Sequence, residues 1–263
     1  MFLFLLLALT QAHASPGFGP THPPLPQGPC ANNRVISITD SHGMSPFFQH
    51  LEDWLVSLPD FEVHTYNLGG TSPYSYVDSA RKHSVFPPSK WAYHYDSCGN
   101  EPRVHRLDMQ GEGSKKMSLH PPLLSKILGS APREVFDKEI VIIELGTIMH
   151  GPDEDFRRKV VAELVTLVKS RPNTSCFWIG PPKPPRAPDN FSHKQVYSTL
   201  AGGILLAGGG CTLIDSRPHS DYPESDLWVK DVHYLFSEDG IPAGIRWADH
   251  VIERINQAER LTP

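Results

Sequence analysis

The sequence has no surplus of positive charge, no long apolar run past its first residues and no paired-cysteine motif. Lys and Arg total 24 against 29 Asp and Glu, a formal net charge of −5, so the surface offers no general attraction to a phosphate backbone or to anionic lipid. Nucleic-acid binding and membrane-surface binding fall away as primary roles. After residue 14 no segment stays apolar for the ~20 residues that cross a bilayer. The cysteines, Cys30, Cys98, Cys176 and Cys211, form no CxxC and no Cys/His metal spacing. No internal repeat or low-complexity tract occurs past residue 29.

Proline, by contrast, is plentiful: 26 in 263 residues, about twice the usual ~5%, which predicts long structured loops. Residues 1–14, MFLFLLLALTQAHA, form a short apolar run ending in Ala12-His13-Ala14, the pattern of a cleaved signal peptide. Residues 15–29, SPGFGPTHPPLPQGP, read as a Pro/Gly-rich linker. Residues 30–263 are long enough for one globular domain. The expected mature protein is exported to the periplasm or the extracellular space, soluble, and without a membrane segment after signal cleavage. An even cysteine count in an oxidising compartment then suggests two disulfides.

From Arg34 a pattern repeats, of a short β-branched or aromatic run, a polar turn and a segment with helical apolar spacing. The runs are 34–39, 61–66, 139–145, 174–179 and 211–214. Helices are expected from Ser45-Pro46, with serine as cap and proline at the first position, and over 152–170, 191–207 and 240–259. Five strands alternating with helices predict a parallel, doubly wound α/β sheet, since parallel neighbours need a crossover long enough to hold a helix. The stretch 78–118 shows no clear period and reads as a long excursion from the second crossover. Cys176 and Cys211 both begin neighbouring strands, so they are expected to pair, leaving Cys30 to meet Cys98.

In open α/β sheets ligands bind outside the carboxyl ends of the strands. The exits carry Thr39-Asp40-Ser41-His42-Gly43, Asn67-Leu68-Gly69-Gly70-Thr71-Ser72-Pro73, Gly146-Thr147-Ile148-Met149-His150 and Gly180-Pro181-Pro182. After the fifth comes a longer loop containing Asp231-Val232-His233. A serine at a sharp strand exit, glycines whose N–H groups can approach a ligand and a late Asp/His pair suit nucleophilic acyl transfer. His42, His150 and His233 on one rim offer a metal site as the alternative, although no ligand pair shows helical spacing.

At these residues the chain resembles the SGNH, or GDSL-type, serine hydrolases. Asp40-Ser41-His42 is similar to the first block of that family, with Thr39 in place of its glycine. Gly69-Gly70-Thr71-Ser72-Pro73 is similar to the second, Leu145-Gly146-Thr147 to the start of the third, and Asp231-Val232-His233 with Trp247-Ala248-Asp249-His250 to the last block and its helix. The resemblance spans about 30–263 in the expected order. It implies a three-layer, flavodoxin-like fold with a five-stranded parallel sheet, and an exported esterase that removes O-acetyl or other short acyl groups from a cell-wall or surface glycan. Ser41 would be the nucleophile, His233 the base and Asp231 its partner, with the N–H groups of Ser41 and Gly70 as the oxyanion hole and with no metal or organic cofactor. Acetyl transfer to a sugar hydroxyl, as in a glycan O-acetyltransferase, and a non-catalytic glycan-binding module on the same fold are the alternatives.

The chain also departs from the family pattern. Ile148 stands where the family carries an oxyanion-binding asparagine, and Lys230 stands where an Asp-x-x-His spacing would put the acid. Asp221 and Asp226 on the same loop therefore stay open beside Asp231. Tyr74, Tyr76, Trp91, Tyr93 and Tyr95 are either a platform for sugar rings or packing for the excursion.

Overall fold

The computed structural model describes residues 31–83, 92–97, 121–129, 136–146, 149, 153–182, 193–220 and 238–261. The proposed signal peptide and linker, Cys30, Cys98, Thr147, Ile148, His150, Lys230, Asp231 and His233 lie outside them.

β1 (Asn33–Thr39), β2 (Phe61–Leu68), β4 (Lys138–Glu144), β5 (Thr174–Ile179) and β6 (Thr212–Ile214) are the five expected parallel strands. In space they lie in the order β2-β1-β4-β5-β6. β3 (Ala92–Asp96), from the excursion, adds a sixth strand that pairs antiparallel with the outer edge of β2. This arrangement follows from the sequence. β4 reads Ile-Val-Ile-Ile through its middle and is buried on both faces, as a central parallel strand must be. β3 is short and sits at the edge, where an antiparallel addition needs no crossover helix.

The helices cover the sheet on both sides. α1 (Pro46–Ser57) and α5 (Gly240–Glu259) pack on one face, while α2 (Leu124–Gly129), α3 (Glu154–Lys169) and α4 (His193–Leu206) pack on the other. Alternate residues of each strand feed the two cores. Val35, Ile140 and Ile142 face α1 and α5 with Phe47, Leu51, Leu55, Trp247 and Val251, whereas Ile36, Ile38, Val141 and Ile143 face α3 and α4. The Phe47 and Trp247 rings stack with centroids 3.6 Å apart, which locks α5 to the first turn of α1. Pro46 takes the first helical position as expected, but Ser45 departs from the capping reading. Its hydroxyl donates to the carbonyl of His42 at 2.6 Å, so it closes the preceding turn instead of receiving a helix N–H.

Cys176, the third residue of β5, and Cys211, just before β6, form a disulfide, the pairing the strand pattern suggested. Among the described residues no helix is long and apolar enough to cross a membrane.

Candidate active site

The chain steps from β1 outward to β2 and then returns to the other side of β1 to lay down β4. The crossovers therefore diverge between β1 and β4, and the carboxyl ends of that pair are the place where such sheets bind ligands. Ser41 follows one of these strands and Gly146 the other.

Ser41 opens a 3-10 turn, Ser41–Met44, directly after β1. The turn is closed by Asp40, whose Oδ1 accepts the N–H of His42 at 3.0 Å while its carbonyl accepts the N–H of Gly43 at 3.1 Å. This is the familiar use of a short acidic side chain to cap a turn. Ser41 is left half-buried at that divergence. Gly43 lets the turn sit tightly on the neighbouring exit, since a Cβ there would lie 2.1 Å from Thr39 Oγ1 and 2.3 Å from Asn67 Cγ. The side chain of Asn67 at the end of β2 thus abuts the serine turn.

Past Asn67, a second tight turn is held by the N–H and hydroxyl of Thr71, which both donate to the carbonyl of Leu68, at 3.3 and 2.7 Å. Gly70 sits in it with φ +74°, a left-handed conformation that favours glycine, and open space surrounds the position of its missing Cβ. At the third exit, Trp178 Nε1 donates to the carbonyl of Leu145 at 2.9 Å and fixes where the β4 loop begins. The fourth and fifth exits are tied by Tyr197, whose hydroxyl donates to Pro181 O at 3.1 Å and accepts the N–H of Ser216 at 2.9 Å. Arg217 lies over the Tyr197 ring, 4.0 Å from its centroid, and forks onto Asp215. That hydrogen bonding holds the Asp215 carboxyl below the usual aspartate range. Beyond it, His219 stacks on His250 at 3.7 Å, and burial, with His219 next, lowers the pKa of His250.

The structure bears on the sequence reading at three points. His42 does not lie on the rim. It is fully buried, edge-on to Trp247 at 5.5 Å. Of the two readings left open for the aromatics, Tyr74, Tyr76 and Tyr95 follow packing, at 1%, 1% and 0% exposure. Burial lifts the Tyr74 phenol to about 12. The third point is an addition. Glu144, the last residue of β4, is completely buried beside Asp40, and nothing in the strand pattern singled it out. The one available signal was a carboxylate at the end of a run, Ile-Val-Ile-Ile-Glu, that is otherwise apolar.

Donor atoms of Asp40, His42 and Glu144 all lie within 4.8 Å of one another, a spacing that a cation would also need. The two carboxyl groups thus approach to within 4.8 Å, and among the described residues neither side-chain oxygen of Glu144 has a hydrogen-bond donor. Burial first, and the neighbouring Asp40 charge second, push the Glu144 carboxyl well above its ordinary 4.5.

Three solved structures share the path of the chain over most of its length. A putative SGNH hydrolase from Slackia heliotrinireducens aligns over 84% of this chain and 97% of its own, with 19% identity and a TM-score of 0.44. A DUF4886 family protein from Bacteroides uniformis aligns over 88% and 86%, with 13% identity and a TM-score of 0.49. A carbohydrate acetylesterase from Sinorhizobium meliloti aligns over 84% and 99%, with 14% identity and a TM-score of 0.45. No family model matches the chain, and no curated protein does. At these identities the likeness concerns the path of the chain and carries nothing about chemistry.

Proposed function

We propose that the protein is a serine-dependent carboxylic-ester hydrolase. The observation that carries this reading is the placement of Ser41. A serine in a turn closed by Asp40 stands half-buried at the divergence of β1 and β4, with the Gly70 turn on the adjacent strand exit. A nucleophile must reach a substrate without being swamped by water, and backbone N–H groups near it can receive the charge that develops on the carbonyl oxygen.

In this mechanism Ser41 Oγ attacks the acyl carbon as His233 takes its proton. The tetrahedral oxyanion is held by the N–H groups of Ser41 and Gly70. His233 returns the proton to the departing alcohol, and a water molecule then releases the acid from the acyl-enzyme. Asp231 keeps the imidazole in the productive tautomer. The substrates are short acyl esters, foremost O-acetyl groups on a carbohydrate. No metal or organic cofactor takes part. The Cys176–Cys211 bridge favours an exported protein, because such bridges persist in oxidising compartments.

The test is hydrolysis of p-nitrophenyl acetate by the wild type and by Ser41→Ala, with labelling by a serine-reactive phosphonate. Turnover with label on Ser41 supports the proposal. A wild type that turns over no ester and takes no label is a binding module.

A further inference from the structure

We propose that Glu144 is a positioning residue for Ser41: its carboxyl carries a proton, donates it to Asp40 and thereby steadies the turn that presents the nucleophile. The role in positioning rests on the esterase reading above; the shared proton does not.

The geometry begins in the ladder. Thr39 pairs with Glu144 at the end of β1 and β4, and the next N–H, that of Asp40, donates to the Glu144 carbonyl at 3.1 Å. Two acidic residues are thereby set side by side, and each is 0% exposed. Two carboxylates that close, away from water, cannot both be ionised without a cation between them. Among the described residues, the titratable groups that reach Glu144 are Asp40 and His42 from the β1 exit and Tyr76 from the turn after β2. α1 and α5, packed on that face of the sheet, present Phe47, Phe48 and Trp247, and the buried charge on α1 is Glu52. No lysine or arginine is among these groups. A proton is the simplest positive charge that satisfies the pair.

The consequence reaches Ser41 through one residue. Asp40 Oδ1 holds the N–H of His42, and Ser41 lies between them. With Glu144 protonated, Asp40 receives an O–H···O⁻ bond on its inner side and holds the turn on its outer side. When Glu144 loses its proton, a second negative charge arises beside Asp40 in a medium of low dielectric, and the turn must move to separate the two. A displacement on the order of 1 Å at a nucleophile can cost about 10²-fold in rate. Activity should therefore have an alkaline limb that belongs to the carboxyl pair, distinct from the acidic limb on which the His233 base is lost.

The experiment follows one protein by two readouts across pH. The infrared C=O stretch of a protonated carboxyl reports the proton, and the rate of phosphonate labelling at Ser41 reports the nucleophile. In the wild type the band should be present at neutral pH and vanish at the pH where labelling slows. Glu144→Gln, which can donate but cannot ionise, should lose the band, keep labelling within a few-fold at neutral pH and lose the alkaline limb. Glu144→Ala should label about 10²-fold more slowly. No carboxyl band in the wild type, or one equivalent of bound divalent metal by elemental analysis, would overturn the shared proton. A band that titrates with no change in labelling would overturn the positioning role, and the wild type alone decides both if the variants fail to fold. A wild type that takes no label overturns the esterase reading and the positioning role with it, while the band still reports the proton independently.

Discussion

The backbone N–H of Asp40 donates to the carbonyl of Glu144 at 3.1 Å, one step past the last paired residues of β1 and β4. That bond aligns two buried carboxyl groups at the divergence of the sheet and gives the fold a pH dependence of definite sign. The folded-state pKa of Glu144 is raised above 4.5 by burial. Its contribution to stability is therefore fully present below about 4.5 and is lost as pH rises through the folded-state value, because only the unfolded chain releases the proton easily in that window. Urea unfolding of the wild type should give decreasing stability across that range, and Glu144→Gln should flatten the curve. Equal slopes in the two proteins would show that Glu144 is not the group responsible.

Trp247 fastens α5 over the turn that carries the serine. Its fully buried ring stacks on Phe47 and meets the edge of His42. Trp247→Ala should cost about 3–5 kcal/mol in urea unfolding, as expected for a large aromatic removed from a packed core. A cost below about 1 kcal/mol would mean that the site collapses around the cavity.

The two glycines of the site should respond differently to alanine. Gly43→Ala puts a methyl group 2.1 Å from Thr39 Oγ1, so the turn or the end of β2 must shift, and both stability and phosphonate labelling should fall. Gly70→Ala meets no neighbouring atom but must hold φ +74°, a strain of about 1–2 kcal/mol. Thermal unfolding and labelling of the two variants distinguish a steric effect from a conformational one. Identical behaviour would contradict this assignment.

Removing the Cys176–Cys211 bridge opens a loop with a sequence separation of 35. Cys176→Ala combined with Cys211→Ala should lower stability by about 2–5 kcal/mol, read by urea unfolding. Non-reducing peptide mapping of the wild type should recover the linked peptides, together with a Cys30–Cys98 link if the second expected pairing holds.

The five parallel strands were legible because each is a short apolar run between turn residues, and the helices because their apolar positions recur on one face. β3 was not. Its Ala-Tyr-His-Tyr-Asp alternation lies in a proline-containing excursion, and its tyrosines left a sugar platform and packing both open until Tyr95 was seen to fill the core under α1 and α5. Ser41 and Gly70 could be placed at strand exits from sequence alone, since a parallel sheet puts all carboxyl ends on one edge. Glu144 was hidden for a physical reason. A residue buried by pairing with another acid carries no periodicity, and only the β1–β4 register brings Asp40 beside it. The inward turn of His42 was hidden likewise, because it depends on Trp247, more than two hundred residues away in the chain.

The central claim is that Ser41 is a nucleophile. Labelling with a serine-reactive phosphonate followed by peptide mass analysis tests it most directly. A single adduct on Ser41, loss of p-nitrophenyl acetate turnover in proportion to labelling, and a Ser41→Ala protein that melts like the wild type but has lost turnover by several orders of magnitude are the predicted result. Turnover that survives in Ser41→Ala, or an adduct on another serine, would contradict it.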